Sequence, residues 1–340
     1  MNVDEAGESP ANRKPVRRIN PVPHEGEGGL FRQSWYAVCR SEDLARGQVL
    51  GREFFGGKVV VHRDREGNAH VQSAYCPHLG ADLSLGAVTD DGLQCRFHRW
   101  EYAANGKCVR TGIGDAPPPT ACLYTFPVCE KLGVVWAFNG DTPLFDLPAT
   151  ARPQESLLID VAEPLRLRTD PWIVCCNTPD WAHFAMVHRF KFPNEGQNES
   201  LQFEPYGVRR KFSAELEHGA GPTISFDVCV RGTNLVLIEG MTAGSWFGVA
   251  ACMGVPAAGL CDFYVVTMVD RTSVASDEVA GSMLRDYVEI GKRMLAEDSP
   301  IWETMHFNPG TLTRSDAALS RYLDDMRAYP RANPAADFIR

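Results

Sequence analysis

Two cysteine–histidine pairs lie close together in the first third of the chain, Cys76-Pro77-His78 and Cys95-Arg96-Phe97-His98, with sixteen residues between His78 and Cys95. Thiolates are soft, strongly donating ligands, and neutral imidazoles are weaker ones. Four such donors on two loops suit two kinds of site. A single zinc ion takes a Cys₂His₂ set tetrahedrally. A [2Fe-2S] cluster divides it unequally, Cys76 and Cys95 on one iron and His78 and His98 on the other, and exchanging two thiolates for two imidazoles raises the reduction potential.

A second constellation follows in Asn177-Thr178-Pro179-Asp180-Trp181-Ala182-His183-Phe184-Ala185-Met186-Val187-His188. His183 and His188 are five positions apart, so on a regular helix they diverge by about 140° at roughly 100° per residue. They meet at one ion only if the helix bulges or unwinds between them. Pro179 fits the first turn of such a helix, where its missing N–H costs nothing. Two histidines and one carboxylate form a facial triad that leaves positions on Fe(II) open for O₂. The candidate acid is Asp298, in Glu297-Asp298-Ser299-Pro300-Ile301-Trp302, and Glu297 is its adjacent rival. Phe184, Met186 and Val187, between the histidines, either face substrate or pack in the core.

The elements that must hold these residues change character along the chain. From Leu30 to about Pro148, short β-type runs such as Trp35 to Val38, Val59 to His62 and Leu132 to Phe138 are broken by Gly, Asp and Asn, which predicts an all-β module. Pro143 to Pro153 marks the boundary. Beyond it, strands including Leu201 to Phe203, Ile224 to Val230, Leu235 to Glu239 and Asp262 to Met268 alternate with helical stretches, so residues 149–340 read as α+β. Ser276-Asp277-Glu278 begins a helix expected to run to near Asp298, and a last helix spans about Asp316 to Met326.

Composition narrows the function classes. A net charge of −9 over 340 residues argues against nucleic acid or anionic membrane as the main partner, because both reward clustered Lys and Arg. No apolar run approaches the roughly 18 residues of a membrane span. Eleven cysteines, an odd number, point to metal ligation plus buried thiols in a reducing cytoplasm. Residues 1–29 read as a flexible tail, with a basic run from Arg13 to Arg18 that no apolar stretch follows, so it is not an export signal.

Leu79-Gly80 after the first metal pair, Trp100, Tyr102 and Gly106 after the second, the N-x-x-D-x-x-H-x₄-H segment and the later E-D-x-x-I-W segment together resemble Rieske non-haem iron oxygenases, in their oxygenase (alpha) component. Leu79 to Leu83 and Asp298 to Trp302 are most like the 3-ketosteroid 9α-hydroxylase and aminopyrrolnitrin oxygenase groups. Arg99 departs from the pattern, which carries Gly there.

The resemblance implies an α+β fold in which an N-terminal all-β Rieske domain, 30–148, precedes a helix-grip catalytic domain with an antiparallel sheet, 149–340. It assigns Cys76, His78, Cys95 and His98 to the [2Fe-2S] cluster and His183, His188 and Asp298 to a mononuclear Fe(II). Asp180 becomes a bridging carboxylate between the cluster of one subunit and the iron of the next in a head-to-tail homotrimer. The reaction implied is O₂-dependent oxidation, by a monooxygenase rather than a dioxygenase, of a hydrophobic cyclic, steroid-like substrate: hydroxylation, demethylation, desaturation or N-oxygenation. With no dinucleotide fingerprint in the sequence, electrons must come from a separate NAD(P)H-dependent reductase, a ferredoxin, or both. The competing reading is a Rieske electron-transfer protein with an appended, non-catalytic ligand-binding domain.

Overall fold

The computed structural model describes residues 21–192, 200–215, 223–242, 244–307 and 311–340. Its first half contains strands β1 (Phe31–Arg32), β2 (Trp35–Arg40), β3 (Val49–Phe54), β4 (Gly57–Arg63), β5 (Ala69–Ser73), β6 (Ala87–Val88), β7 (Leu93–Gln94), β8 (Glu101–Tyr102), β9 (Cys108–Arg110), β10 (Val128–Lys131) and β11 (Val134–Phe138). Strands β2 to β11 form three antiparallel sheets, in the orders β3-β4-β5, β10-β11-β2 and β6-β7-β8-β9. The valine run in β4 is apolar on both faces because both faces are covered. Val59 and Val61 pack with Phe54, Phe55 and Val71, whereas Val60 packs with Leu83, Leu93, Cys76 and Cys95.

The second half adds β12 (Leu157–Val161), β13 (Leu165–Leu167), α1 (Pro171–Cys175), α2 (Trp181–Met186), β14 (Leu201–Glu204), β15 (Gly207–Glu215), β16 (Thr223–Arg231), β17 (Leu235–Thr242), β18 (Ser245–Gly254), β19 (Cys261–Asp270), α3 (Asp277–Thr304), α4 (Ala317–Ala328) and β20 (Arg331–Ala332). Strands β12 to β19 make one antiparallel sheet in the order β12-β19-β18-β17-β16-β15-β14, with β13 also paired to β19. Helix α3 packs against β19, β12 and β13. The architecture is the expected α+β one, a β-rich first half followed by a sheet gripping a long helix. The helix outruns its expected end near Asp298 and continues through Pro300 to Thr304. Trp302, buried 5.9 Å from the ring of Phe263, anchors the additional turn. Among the described residues no helix is long and apolar enough to cross a membrane.

Strands β2 and β11 join the halves through alternation. Tyr36, Val38, Val135 and Ala137 face the core of the first half, while Trp35, Ala37, Val134 and Trp136 enter the core beneath the large sheet. The Tyr264 hydroxyl of β19 donates to the Val38 carbonyl at 3.2 Å. Residues 139–153 between the halves contain no strand or helix.

The tail requires a correction. Residues 1–20, with the basic run, lie outside the described residues, but residues 21–29 pack into the fold. Glu25 is buried, and its carboxylate accepts from the guanidinium of the fully buried Arg32 at 2.8 Å and from the Arg32 backbone N–H at 3.1 Å. A short polar segment has no apolar period to signal burial, so the ion pair that ties it down is invisible to pattern reading.

Candidate metal centres

The two Cys–His loops are built alike. The Cys76 N–H donates to the Ala81 carbonyl and the Gly80 N–H returns to the Cys76 carbonyl, at 2.9 and 2.8 Å; in the second loop Cys95 donates to Trp100 and Arg99 returns to Cys95, at 2.8 and 3.1 Å. Each loop closes on a residue of positive φ, 76° at Gly80 and 57° at Arg99. Glycine takes that conformation freely, whereas a side chain there costs about 1 kcal/mol or more. The arginine is therefore strained where the Rieske pattern has glycine.

Both cysteines are buried and both histidines point outward, His98 being exposed. Tyr102 places its hydroxyl 3.0 Å from the Cys76 sulfur. The His78 ring stacks on Trp100 at 4.3 Å and lies 4.7 Å from that of His98. His78 Nδ1 is buried without a hydrogen-bond partner, which is costly for a ring nitrogen unless it serves as a ligand. Among the described residues, the three donors whose ligand atoms all lie within 4.8 Å of one another are His183, His188 and Asp298. Paired sulfurs inside and paired imidazoles outside fit a [2Fe-2S] cluster.

The second centre answers the problem of the five-residue spacing. Asp180 caps α2 by accepting from the His183 N–H at 3.2 Å, and the helix stops at Met186. The chain then reverses through Arg189, φ 58°, and the Phe190 N–H donates back to the Phe184 carbonyl at 3.0 Å. His188 thus lies beyond the helix and swings to the side of His183, their rings 4.6 Å apart and nearly perpendicular. The helix ends rather than bulges.

Asp298, buried on α3, sets its two carboxylate oxygens 3.6 Å from His183 Nε2 and 3.4 Å from His188 Nε2, so these three side chains would hold one metal ion between them. Glu297 faces elsewhere: its carboxylate lies 2.9 Å from His188 Nδ1, on the opposite edge of that ring. Burial lowers the pKa of His183 despite the nearby Asp298 charge, which favours the neutral imidazole that a metal binds. Asp180 is not one of the three grouped donors. Behind it lies Arg210, fully buried, which donates to the Pro179 carbonyl at 3.2 Å and stands 4.9 Å over the Trp181 ring. Burial brings the Arg210 pKa down to about 10 although Asp180 opposes the shift.

The triad opens on a cavity of about 410 Å³. Phe184 lines it, Val187 does not, and Met186 is 76% exposed. Its other walls come from alternate residues of the sheet, such as Val236 and Ile238 of β17, whose neighbours Leu235 and Leu237 point into the core, and from α3. Sequence reasoning missed these walls and Arg210, because only sheet register and the docking of α3 bring them to the metal.

The Rieske [2Fe-2S] domain model matches residues 34–126. The 3-ketosteroid-9-alpha-monooxygenase oxygenase component of Rhodococcus rhodochrous is 26% identical over 336 residues, covering 89% of this chain and 81% of that protein. A putative toluene-4-sulfonate monooxygenase system iron-sulfur subunit of Comamonas testosteroni is 31% identical over 173 residues, 47% of this chain and 46% of that one, so the match spans about half its length. Among solved structures, Pseudomonas putida CBB5 NdmA with caffeine superposes with a TM-score of 0.65 at 20% identity, over 87% of this chain and 90% of that chain. Dicamba monooxygenase bound to dicamba gives 0.65 at 17%, over 87% and 97%. The chain thus carries a Rieske [2Fe-2S] domain and is similar, along most of its length, to an oxygenase component.

Proposed function

We propose that the chain is a terminal oxygenase component, taking electrons through the [2Fe-2S] cluster at Cys76, His78, Cys95 and His98 and oxidising a hydrophobic cyclic substrate beside a mononuclear iron at His183, His188 and Asp298. The observation that carries this reading is the apolar cavity ending on the triad. Iron held there supplies O₂ activation. The protein's own part is to bind, orient and keep water out. The described lining has Asn177, Thr178, Thr242 and Tyr287 as its polar side chains beyond the triad, and no Lys or Arg. A carboxylate or sulfonate would lose its hydration there without a cationic partner, a cost of several kcal/mol. This favours a neutral, steroid-like substrate over a sulfonate.

The remaining parts follow the same reading. A separate NAD(P)H-dependent reductase or ferredoxin delivers the electrons, the division into domains falls near residue 148, and the protein works in the cytoplasm. A homotrimer sets the cluster of one subunit beside the iron of the next, with Asp180 between them. Arg210, bonded to Pro179 and stacked on Trp181, holds the turn that presents Asp180.

Iron analysis separates an oxygenase from an electron carrier with an idle second domain: about three irons per chain for the first, about two for the second. His183→Ala should lose the mononuclear iron and O₂ consumption and keep the visible spectrum of the cluster, and Cys76→Ser should bleach that spectrum. Loss of the cluster spectrum in folded His183→Ala protein would refute the two-site assignment.

A further inference from the structure

Helix α3 runs the length of the cavity as a ruler. Tyr287, Ile290, Gly291, Met294, Leu295 and Asp298 all line it, at the three- and four-residue steps of one helical face. Tyr287 and Asp298 are three turns apart, about 16 Å at roughly 1.5 Å per residue. The two ends differ in chemistry. At Asp298 stands the metal triad; at the other end the Tyr287 ring stacks on Phe247 at 4.9 Å, and Thr242 closes the cavity face of β17. Beyond the hydroxyls of Tyr287 and Thr242, that end offers apolar surface.

Gly291 lies between the ends, about 10 Å from Asp298 and about 6 Å from Tyr287 along the axis. In a helix interior glycine is less stable than alanine. Its backbone does not call for glycine, since it is absent from the residues of positive φ, and an added Cβ would meet only Val265 Cγ1, at 3.8 Å. What the missing side chain leaves is room in mid-cavity, where a ligand can lie against the helix backbone.

We propose that Gly291 and Tyr287 select the substrate by length: an elongated, neutral, polycyclic molecule lies along α3, its reacting carbon at the triad, its body over Gly291 and a carbonyl or hydroxyl at its far end hydrogen-bonded to Tyr287. This rests on the cavity being the substrate site of the proposed oxygenase. A one-ring or two-ring molecule fills only the metal end and touches neither residue.

Equilibrium dialysis of the iron-loaded protein with two probes, androst-4-ene-3,17-dione and naphthalene, tests it. Gly291→Leu should raise the Kd of the steroid ketone by about tenfold or more, the range for a steric change of a methylene or larger in an apolar pocket. Naphthalene should stay within about twofold. Tyr287→Phe, which removes one hydrogen bond, should weaken the ketone by roughly fivefold and leave naphthalene alone. Gly291→Ala, which suits the helix better than glycine, should show a smaller loss in the same direction and guards against misfolding of the leucine variant. Equal effects on both probes, unchanged ketone binding in Gly291→Leu, or wild-type protein that binds naphthalene and not the ketone would overturn the proposal. Ketone binding with the expected variant pattern but no O₂ consumption with a reductase would leave it standing and sink the oxygenase reading instead.

Discussion

Glu297 and Asp298 are neighbours on α3, and successive side chains on a helix point about 100° apart, so the two acids cannot share one task. Asp298 reaches both Nε2 atoms; Glu297 reaches the Nδ1 edge of His188 at 2.9 Å. A carboxylate accepting Nδ1–H holds a histidine in the tautomer whose Nε2 is free to bind a metal, and losing such a support costs about 10–100-fold in metal affinity. The Glu297 side chain is 38% exposed while that of His188 is 4% exposed, so water can replace part of the lost contact, which places the expected loss for Glu297→Ala near the lower bound, about tenfold or ~1.4 kcal/mol. Glu297→Gln retains an acceptor and should recover most of it. Asp298→Ala removes a ligand and should abolish stoichiometric binding. Anaerobic calorimetric titration with Fe(II) of protein that holds its cluster but has been stripped of mononuclear iron gives all three values. Equal losses in Glu297→Ala and Asp298→Ala, or an unchanged affinity in Glu297→Ala, would refute the division of roles.

Asp180→Asn keeps a good helix cap, so both centres should assemble and the cluster should remain reducible while turnover collapses; mixed trimers of Cys76→Ser and His183→Ala chains should regain part of the activity, and full turnover in Asp180→Asn would contradict the bridge. Arg32→Met should cost about 3–5 kcal/mol in urea unfolding, because it strands the buried Glu25 carboxylate. His62, whose pKa burial and the neighbouring His70 push down to about 3, stays neutral in the fold. Its contribution is complete above about pH 6.5, where the unfolded histidine is neutral too, and is lost as pH falls toward about 3, by at most about 1.4 kcal/mol per unit. His62→Leu should flatten that acid limb of the stability curve.

The chemistry of this protein was more legible in its sequence than the setting of that chemistry. Candidate metal ligands are short patterns of chemically distinctive residues, so Cys76, His78, Cys95 and His98 stand out by spacing, and the residues flanking them carry the family resemblance. His183 and His188 could be paired only by assuming a break in the helix; the break is the end of α2 at Met186, which no glycine or proline announces. Asp298 and Glu297 could not be told apart by composition, since what separates them is the azimuth of α3 against the sheet. The cavity face of β17 alternates with its core face, Val236 beside Leu237, and both read simply as apolar. Glu25 fell within the stretch read as a flexible tail because its partner, Arg32, is one that sequence does not name.

Strand β20 pairs with β1, the Lys58 N–H donates to the Ile339 carbonyl at 2.7 Å, and Ala335 and Ile339 complete the core around Phe54 and Phe55. The first half therefore borrows its last wall from a segment made long afterwards. At about 5–20 residues per second, the roughly 190 residues between Phe138 and Arg331 take on the order of 10–40 s to emerge from a ribosome. Through that interval the first half has its core exposed where Ala335 and Ile339 will pack. A fragment cut after residue 148 would keep the Cys76, His78, Cys95 and His98 loops and still lack the wall that seals its core.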